Sequence, residues 1–321
     1  MEIIAVYGTA MVVMAVIFGL FMTWGVGAND LANAMGTSVG AGAVTVKQAI
    51  GIAIVFEFLG AVLAGGHVTQ TIRKGIIDPT SIISHPEILV FGMLASLLAA
   101  AVWLMIASAK GWPVSTTHSI VGAIVGFAIV GIGPEAVKWD KIMKVVVSWV
   151  ISPAVGGVIS FLLVMSTRKL ILDTETPLKN AKKYAPFYVF LVGFIISLVT
   201  MFKGLKQLNL DLSIGGSIFA AICFGILTAF IGWLFIRKVE EQEDDDRTFQ
   251  FASVEKVFSP MMLFTACSMA FAHGSNDVAN GIGPLAAVVS IVGSGGEVLQ
   301  KAPLPIWILL IGGAGIILGL I

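Results

Sequence analysis

Apolar residues gather in nine stretches, at about 9–28, 46–65, 88–108, 113–131, 142–165, 186–202, 214–236, 259–273 and 304–321. A helix rises 1.5 Å per residue, so some twenty apolar residues reach across the roughly 30 Å hydrocarbon core of a bilayer. Inside that core every backbone N–H and C=O must be paired within the protein, which makes helices of runs this long. Composition agrees. Hydrophobic residues make up 57% and charged residues 12%, with a mean hydropathy of +0.98, where a soluble domain carries about 25% charged residues. The expected fold is an all-α polytopic membrane protein, and a soluble enzyme, a β-barrel and a disordered scaffold are excluded. Nineteen Lys and Arg balance nineteen Asp and Glu, so the chain offers no electrostatic basis for binding nucleic acid. Its partner is the lipid bilayer.

The first twenty residues do not read as a signal peptide, because Glu2 replaces a basic leader and the apolar run is too long. Cys223 and Cys267 both fall inside apolar runs, so neither a disulfide framework nor a zinc site is legible. The loops 166–185 and 237–258 hold nine of the nineteen basic residues and are separated by two spans. They therefore share a side, which the positive-inside rule makes cytoplasmic. Counting back puts the N-terminus outside, with a plasma-membrane location. The acidic run Glu240–Asp246 reads as a solvated linker, with cation sensing as its alternative.

The chain also repeats itself. Residues 27–36 read GANDLANAMG and residues 274–283 read GSNDVANGIG, identical at six of ten positions at an offset of 247. By span count the two copies follow helices of opposite direction, the mark of an inverted-repeat secondary transporter. That parity requires 113–131 to cross fully. The expected organisation is a first repeat over 1–165, then cytoplasmic loops and two connecting spans over 166–258. A second, incomplete inverted repeat begins at 259–321.

On a helix Asn29, Asp30 and Asn33 share a face. Asn and Asp also cap helices, so each motif can begin a half-helix inside the membrane, with Gly25, Gly27 and Gly36 permitting a break. Broken or re-entrant helices are therefore expected. An aspartate at membrane depth costs roughly 2.5–3.5 kcal/mol and calls for a cation, a proton or a water-filled cavity. Glu57 interrupts the second span without a basic partner on its helix, and reads either as a cation-coupling group or as a buried structural hydrogen bond. In PVSTTHS, Ser115, Thr116 and Thr117 precede an apolar run. Such a helix start is either an anion site of free N–H groups and hydroxyls or ordinary capping. His118 and His273 lack metal-ligand spacing and read as orienting residues, and Ser152-Pro153 reads as a packing kink.

GANDLANAMG, GSNDVANGIG and PVSTTHSIVGAIVG resemble the signature segments of the PiT family of inorganic phosphate transporters, over nearly the whole chain. The resemblance implies a carrier moving phosphate with Na⁺ or H⁺, often dimeric, with its site between two inverted repeats. It implies phosphate ligands at Asp30, Asn33, Ser115, Thr116, Thr117, Asp277 and Asn280. The implied Na⁺ ligands are Asn29, Asp30, Asn276, Asp277 and Glu57. The family's second STTH-like segment would begin near position 362, beyond Ile321, so a C-terminal segment is expected to be missing. The expected function is a cation-coupled phosphate symporter, not an enzyme, with Na⁺ favoured because asparagine oxygens flank each aspartate. An H⁺-coupled phosphate or sulfate permease of the same fold is the alternative, and an anion channel a remote one. No cofactor is expected beyond the coupling ion.

Overall fold

The computed structural model describes residues 2–77, 85–204, 213–239, 247–298 and 304–321. The acidic run at 240–246 lies outside them. Among the described residues, nine α-helices cover the nine apolar stretches: α1 (Glu2–Gly40), α2 (Val46–Gly75), α3 (Pro86–Ala109), α4 (Thr116–Gly131), α5 (Trp139–Thr167), α6 (Pro177–Val199), α7 (Ile214–Ile236), α8 (Arg247–Gly293) and α9 (Ile306–Leu320). Among the described residues there is no strand, only an isolated bridge between Ile77 and Val137. Seven of the described helices are long and apolar enough to span a bilayer, whereas α4 and α9 are shorter. Helix starts follow local chemistry: Thr45 and Gln48 form a capping box on α2, Ser115 caps α4, Ser213 caps α7, and Pro86 and Pro177 open α3 and α6. The helix α5 continues through Pro153 and has no buried residue, as suits a lipid-facing span.

The Asn-Asp motifs do not break their helices. The helix α1 runs unbroken through 27–36 and α8 through 274–283, so neither motif begins a half-helix. Their side chains reach across to other helices instead of capping their own backbone, and two of the glycines serve close packing. A Cβ at Gly27 would collide with the carbonyl of Ile316, and one at Gly274 with the carbonyl of Glu57. The interruption falls elsewhere, at 110–115, where Gly111 at φ +67° turns the chain between α3 and α4.

The chain forms two compact units: 1–40, 45–143 and 267–321 make one, while 41–44 and 144–266 make the other. The first unit holds both motifs. Within it α1 and α8 run antiparallel, since Gly8 lies beside Val292 while Gly19 and Thr23 lie beside Gly281. Matching contacts recur in its two halves. Gly27 on Ile316 is matched by Gly274 on Glu57, and Gly319 on the carbonyl of Trp24 is matched by Gly60 on that of Phe271. The pair α1 and α9 thus packs as α8 and α2 do, with Ile316 standing where Glu57 stands and Val26 where His273 stands.

In the second unit α6 and α7 lie side by side. Ile171, Ala181, Ala185, Tyr188, Ile236, Val254 and Val257 form its buried cluster.

Candidate functional site

The site lies where α1, α8 and the start of α4 meet. Asn29 holds the turn between α3 and α4: its Nδ2 donates to the Trp112 carbonyl at 3.0 Å and to Ser108 Oγ at 3.2 Å, and its Oδ1 accepts from Val114 N–H at 3.1 Å. All three of these amide bonds go to protein. The turn so fixed presents α4 end-on to the two aspartates. The Thr116 hydroxyl donates to Asp30 Oδ2 at 3.1 Å and stands 3.5 Å from Asp277 Oδ1, which Thr117 Oγ1 approaches to 3.3 Å. Asn280 Nδ2 ties the group together, lying 2.9 Å from Asp277 Oδ1 and 3.1 Å from each threonine hydroxyl.

His273 supplies the third connection. Its Nε2 lies 3.6 Å from Asp30 Oδ2 and 3.4 Å from Asp277 Oδ2, while Nδ1 faces Glu57 Oε1 at 3.1 Å. None of these contacts is aligned as a hydrogen bond, so the ring interacts with the acids through charge and polarity. Glu57 is wholly buried, and its carboxylate sits behind the His273 ring.

A cavity of about 390 Å³ opens onto this cluster, lined by Asp30, Asn33, Ser115, Thr116, Thr117, His273 and Asp277 together with Pro113 and Val114. It combines two carboxylates with the N-terminus of a helix. The first-turn N–H groups of α4 have no carbonyl within their own helix, and the helix dipole adds positive potential there. Acids alone would repel an anion and a helix start alone would repel a cation. Side by side they offer hydrogen-bond donors suited to an anion next to carboxylates suited to a cation.

The chain matches the model of the phosphate transporter family over residues 26–321. It belongs to that family. A relative from Haemophilus influenzae, provisionally named a phosphate permease, is 51% identical over 322 residues, covering all of this chain and 76% of its own length. The chloroplastic inorganic phosphate transporter 2-1 of Arabidopsis thaliana is 41% identical over 95% of this chain and 55% of its own. A solved structure entitled "The sodium-dependent phosphate transporter" superposes with a TM-score of 0.86 at 41% identity, over 97% of this chain and 74% of that one. The chain spans about three quarters of the length of several curated relatives that it matches.

In this phosphate transporter family member, most of the expected residues converge. Asp30, Asn33, Ser115, Thr116, Thr117 and Asp277 line one cavity, and Asn280 is bonded to three of them or their hydroxyls. Asn276 is half-buried beside Asp277 in α8. Two expected cation ligands do other things: Asn29 spends its amide on the α3–α4 turn, and Glu57 meets His273 without reaching the cavity wall. The Ser115 hydroxyl accepts from His118 N–H at 3.2 Å, so capping and cavity lining coexist in one residue. His118 is exposed, whereas His273 stands at the centre. Ser108 and Trp112 carry no motif, and nothing in their local sequence marks their part in fixing the turn.

Proposed function

We propose that this integral membrane protein moves inorganic phosphate together with Na⁺, and that the two bind in order. The observation that carries the reading is that Thr116 and Thr117, at the start of α4, point their hydroxyls at Asp277 and, from Thr116, at Asp30. While those acids hold the hydroxyl protons, few donors are left for an anion. Phosphate would also meet carboxylate repulsion, roughly 4 kcal/mol per pair of unit charges at 4 Å and an effective dielectric of 20. A cation seated on Asp30 and Asp277 removes both obstacles. It neutralises the acids and releases the threonine hydroxyls to donate to phosphate beside the first-turn N–H groups of α4. Asn33 lines the same cavity and can serve either ion.

Na⁺ fits this role because carboxylate, amide and hydroxyl oxygens are hard donors. The neighbour entitled a sodium-dependent phosphate transporter supports the same choice. On this reading the alternating states come from movement of the two matched halves, with the Asn29-pinned turn carrying α4 toward or away from the acids. The N-terminus outside, a plasma-membrane location and a dimeric assembly belong to the same reading.

The test is equilibrium binding of labelled phosphate at fixed pH, with Na⁺ replaced stepwise by choline. Phosphate affinity should climb with Na⁺, and Na⁺ affinity should climb by the same factor with phosphate, because linkage is reciprocal. Binding that ignores the exchange yet strengthens as pH falls would replace Na⁺ by H⁺. Competition by sulfate as strong as by unlabelled phosphate would overturn the choice of substrate.

A further inference from the structure

We infer that the second unit carries a binding slot for one anionic phospholipid, between α6, α7 and the first turns of the membrane-embedded part of α8. A cavity of about 480 Å³ lies there, walled by Thr228, Ile231, Phe235, Val257, Met261 and Phe264. Along α7 it extends from Thr228 to Ile236, eight helical steps or about 12 Å. That is most of one leaflet's hydrocarbon, which is half of a core roughly 30 Å thick.

The two ends of the slot differ in chemistry. Thr228 and Phe264 mark the end within the spans, and its walls there are apolar. The other end meets Lys256, an exposed residue at the slot's rim, just where Arg237 and Lys238 follow the last turn of α7. Two aromatic–cation contacts fix this end as a membrane boundary. Arg237 lies 5.0 Å from the ring centre of Trp233, and Lys183 lies 5.1 Å from that of Tyr184. Aromatic rings with basic partners are the anchors expected at headgroup level. The two contacts are level with each other because α6 and α7 are antiparallel, with Gly193 against Thr228 and Gly232 against Val189. Among the described residues no acid lines the slot, and Glu255 lines an adjacent hollow that shares Lys256 with it.

An apolar channel most of a leaflet deep, with a lysine at its mouth and further basic groups around it, matches an acyl chain below an anionic headgroup. A neutral lipid would fill the channel but leave the charge without a counterpart. A soluble anion would use the lysine but leave the apolar wall empty. Basic pockets between spans on the side rich in Lys and Arg are where anionic headgroups collect.

The experiment is native mass spectrometry of the full chain released from bilayers of equal phosphatidylglycerol and phosphatidylcholine. The wild-type protein should retain one phosphatidylglycerol at least fivefold in excess of phosphatidylcholine. Lys256→Gln should bring that ratio to within twofold of unity, and Ile231→Trp, which fills the slot with a larger side chain, should lose both lipids. Lys179→Gln removes an exposed basic residue of the same unit away from the slot and should keep the preference. Equal retention of the two lipids by the wild type would overturn the proposal, and so would a preference that survives Lys256→Gln. An equal loss of preference in Lys179→Gln would do the same by assigning it to diffuse surface charge.

Discussion

The Thr116 hydroxyl donates to Asp30 Oδ2 at 3.1 Å, so the first residue of α4 is bound to the middle of α1 across 86 positions of sequence. The bond is buried, and it uses the one proton that hydroxyl can give. Thr116→Val keeps the shape and removes that proton, and Thr116→Ser keeps it. A hydrogen bond to a charged group contributes about 1.5–3 kcal/mol, which is roughly ten- to a hundredfold in affinity. Phosphate binding in saturating Na⁺ should therefore weaken at least tenfold in the valine variant and recover substantially in the serine variant. Isothermal titration or filter binding of labelled phosphate reads both.

The two aspartates are expected to act on the cation first and on phosphate through it. Asp30→Asn and Asp277→Asn each preserve size and remove one negative charge. Transport driven by a Na⁺ gradient should fall below a tenth of the wild-type rate in each. The Na⁺ dependence of residual phosphate binding should flatten as well. Uptake into proteoliposomes at several Na⁺ concentrations tests this, and a near-normal rate in either variant removes that aspartate from the coupling.

The glycines of the two motifs divide into close-packing and open positions. A Cβ at Gly27 or Gly274 would strike a backbone carbonyl, that of Ile316 or of Glu57, and backbone cannot swing aside as a side chain can. Gly36 belongs to the same motif as Gly27 but has nothing within 4 Å of its would-be Cβ. Gly27→Ala and Gly274→Ala should each destabilise by about 1–3 kcal/mol, the usual cost of overpacking. Gly36→Ala should be neutral or stabilising, since alanine is the better helix former by up to about 1 kcal/mol. Melting temperatures in detergent, measured for all three, check the contrast.

The described helices are legible in the sequence because a bilayer permits little else for such runs. The span count puts the two motif copies on helices of opposite direction, and α1 and α8 do run antiparallel, but their packing against each other is not legible there. The interruption lies at 110–115 and not at the Asn-Asp motifs for a physical reason. Asn and Asp favour helix ends when their side chains have only their own backbone to bond. Asn29 instead finds Ser108, Trp112 and Val114, and Asp30 finds Thr116, all from residues more than seventy positions away. Partners so distant leave no local trace. Glu57 was legible as an unusual buried acid, but its neighbour His273 comes from another helix, so its displacement from the cavity could not be read from spacing.

That pair supports the sharpest test, because the protein contains its own control. In one half of the first unit Glu57 faces His273 at 3.1 Å, and in the other half the matching positions are Ile316 and Val26, both fully buried. The same helix contacts therefore form with or without an acid and an imidazole between them. Removing one member of a buried charged pair costs about 3–5 kcal/mol, because the other is left uncompensated, whereas replacing both by apolar groups is often neutral or stabilising. His273→Val alone should accordingly lower the melting temperature sharply, and so should Glu57→Ile alone if His273 relies on it. The double variant His273→Val, Glu57→Ile copies the opposite half and should regain most of the lost stability. Transport should not return with it, because the ring that faces Asp30 and Asp277 at 3.6 and 3.4 Å is gone. A double variant that melts like the wild type and carries phosphate at the wild-type rate would reduce the pair to packing. One that folds and fails to carry phosphate separates the function of His273 from its structural role.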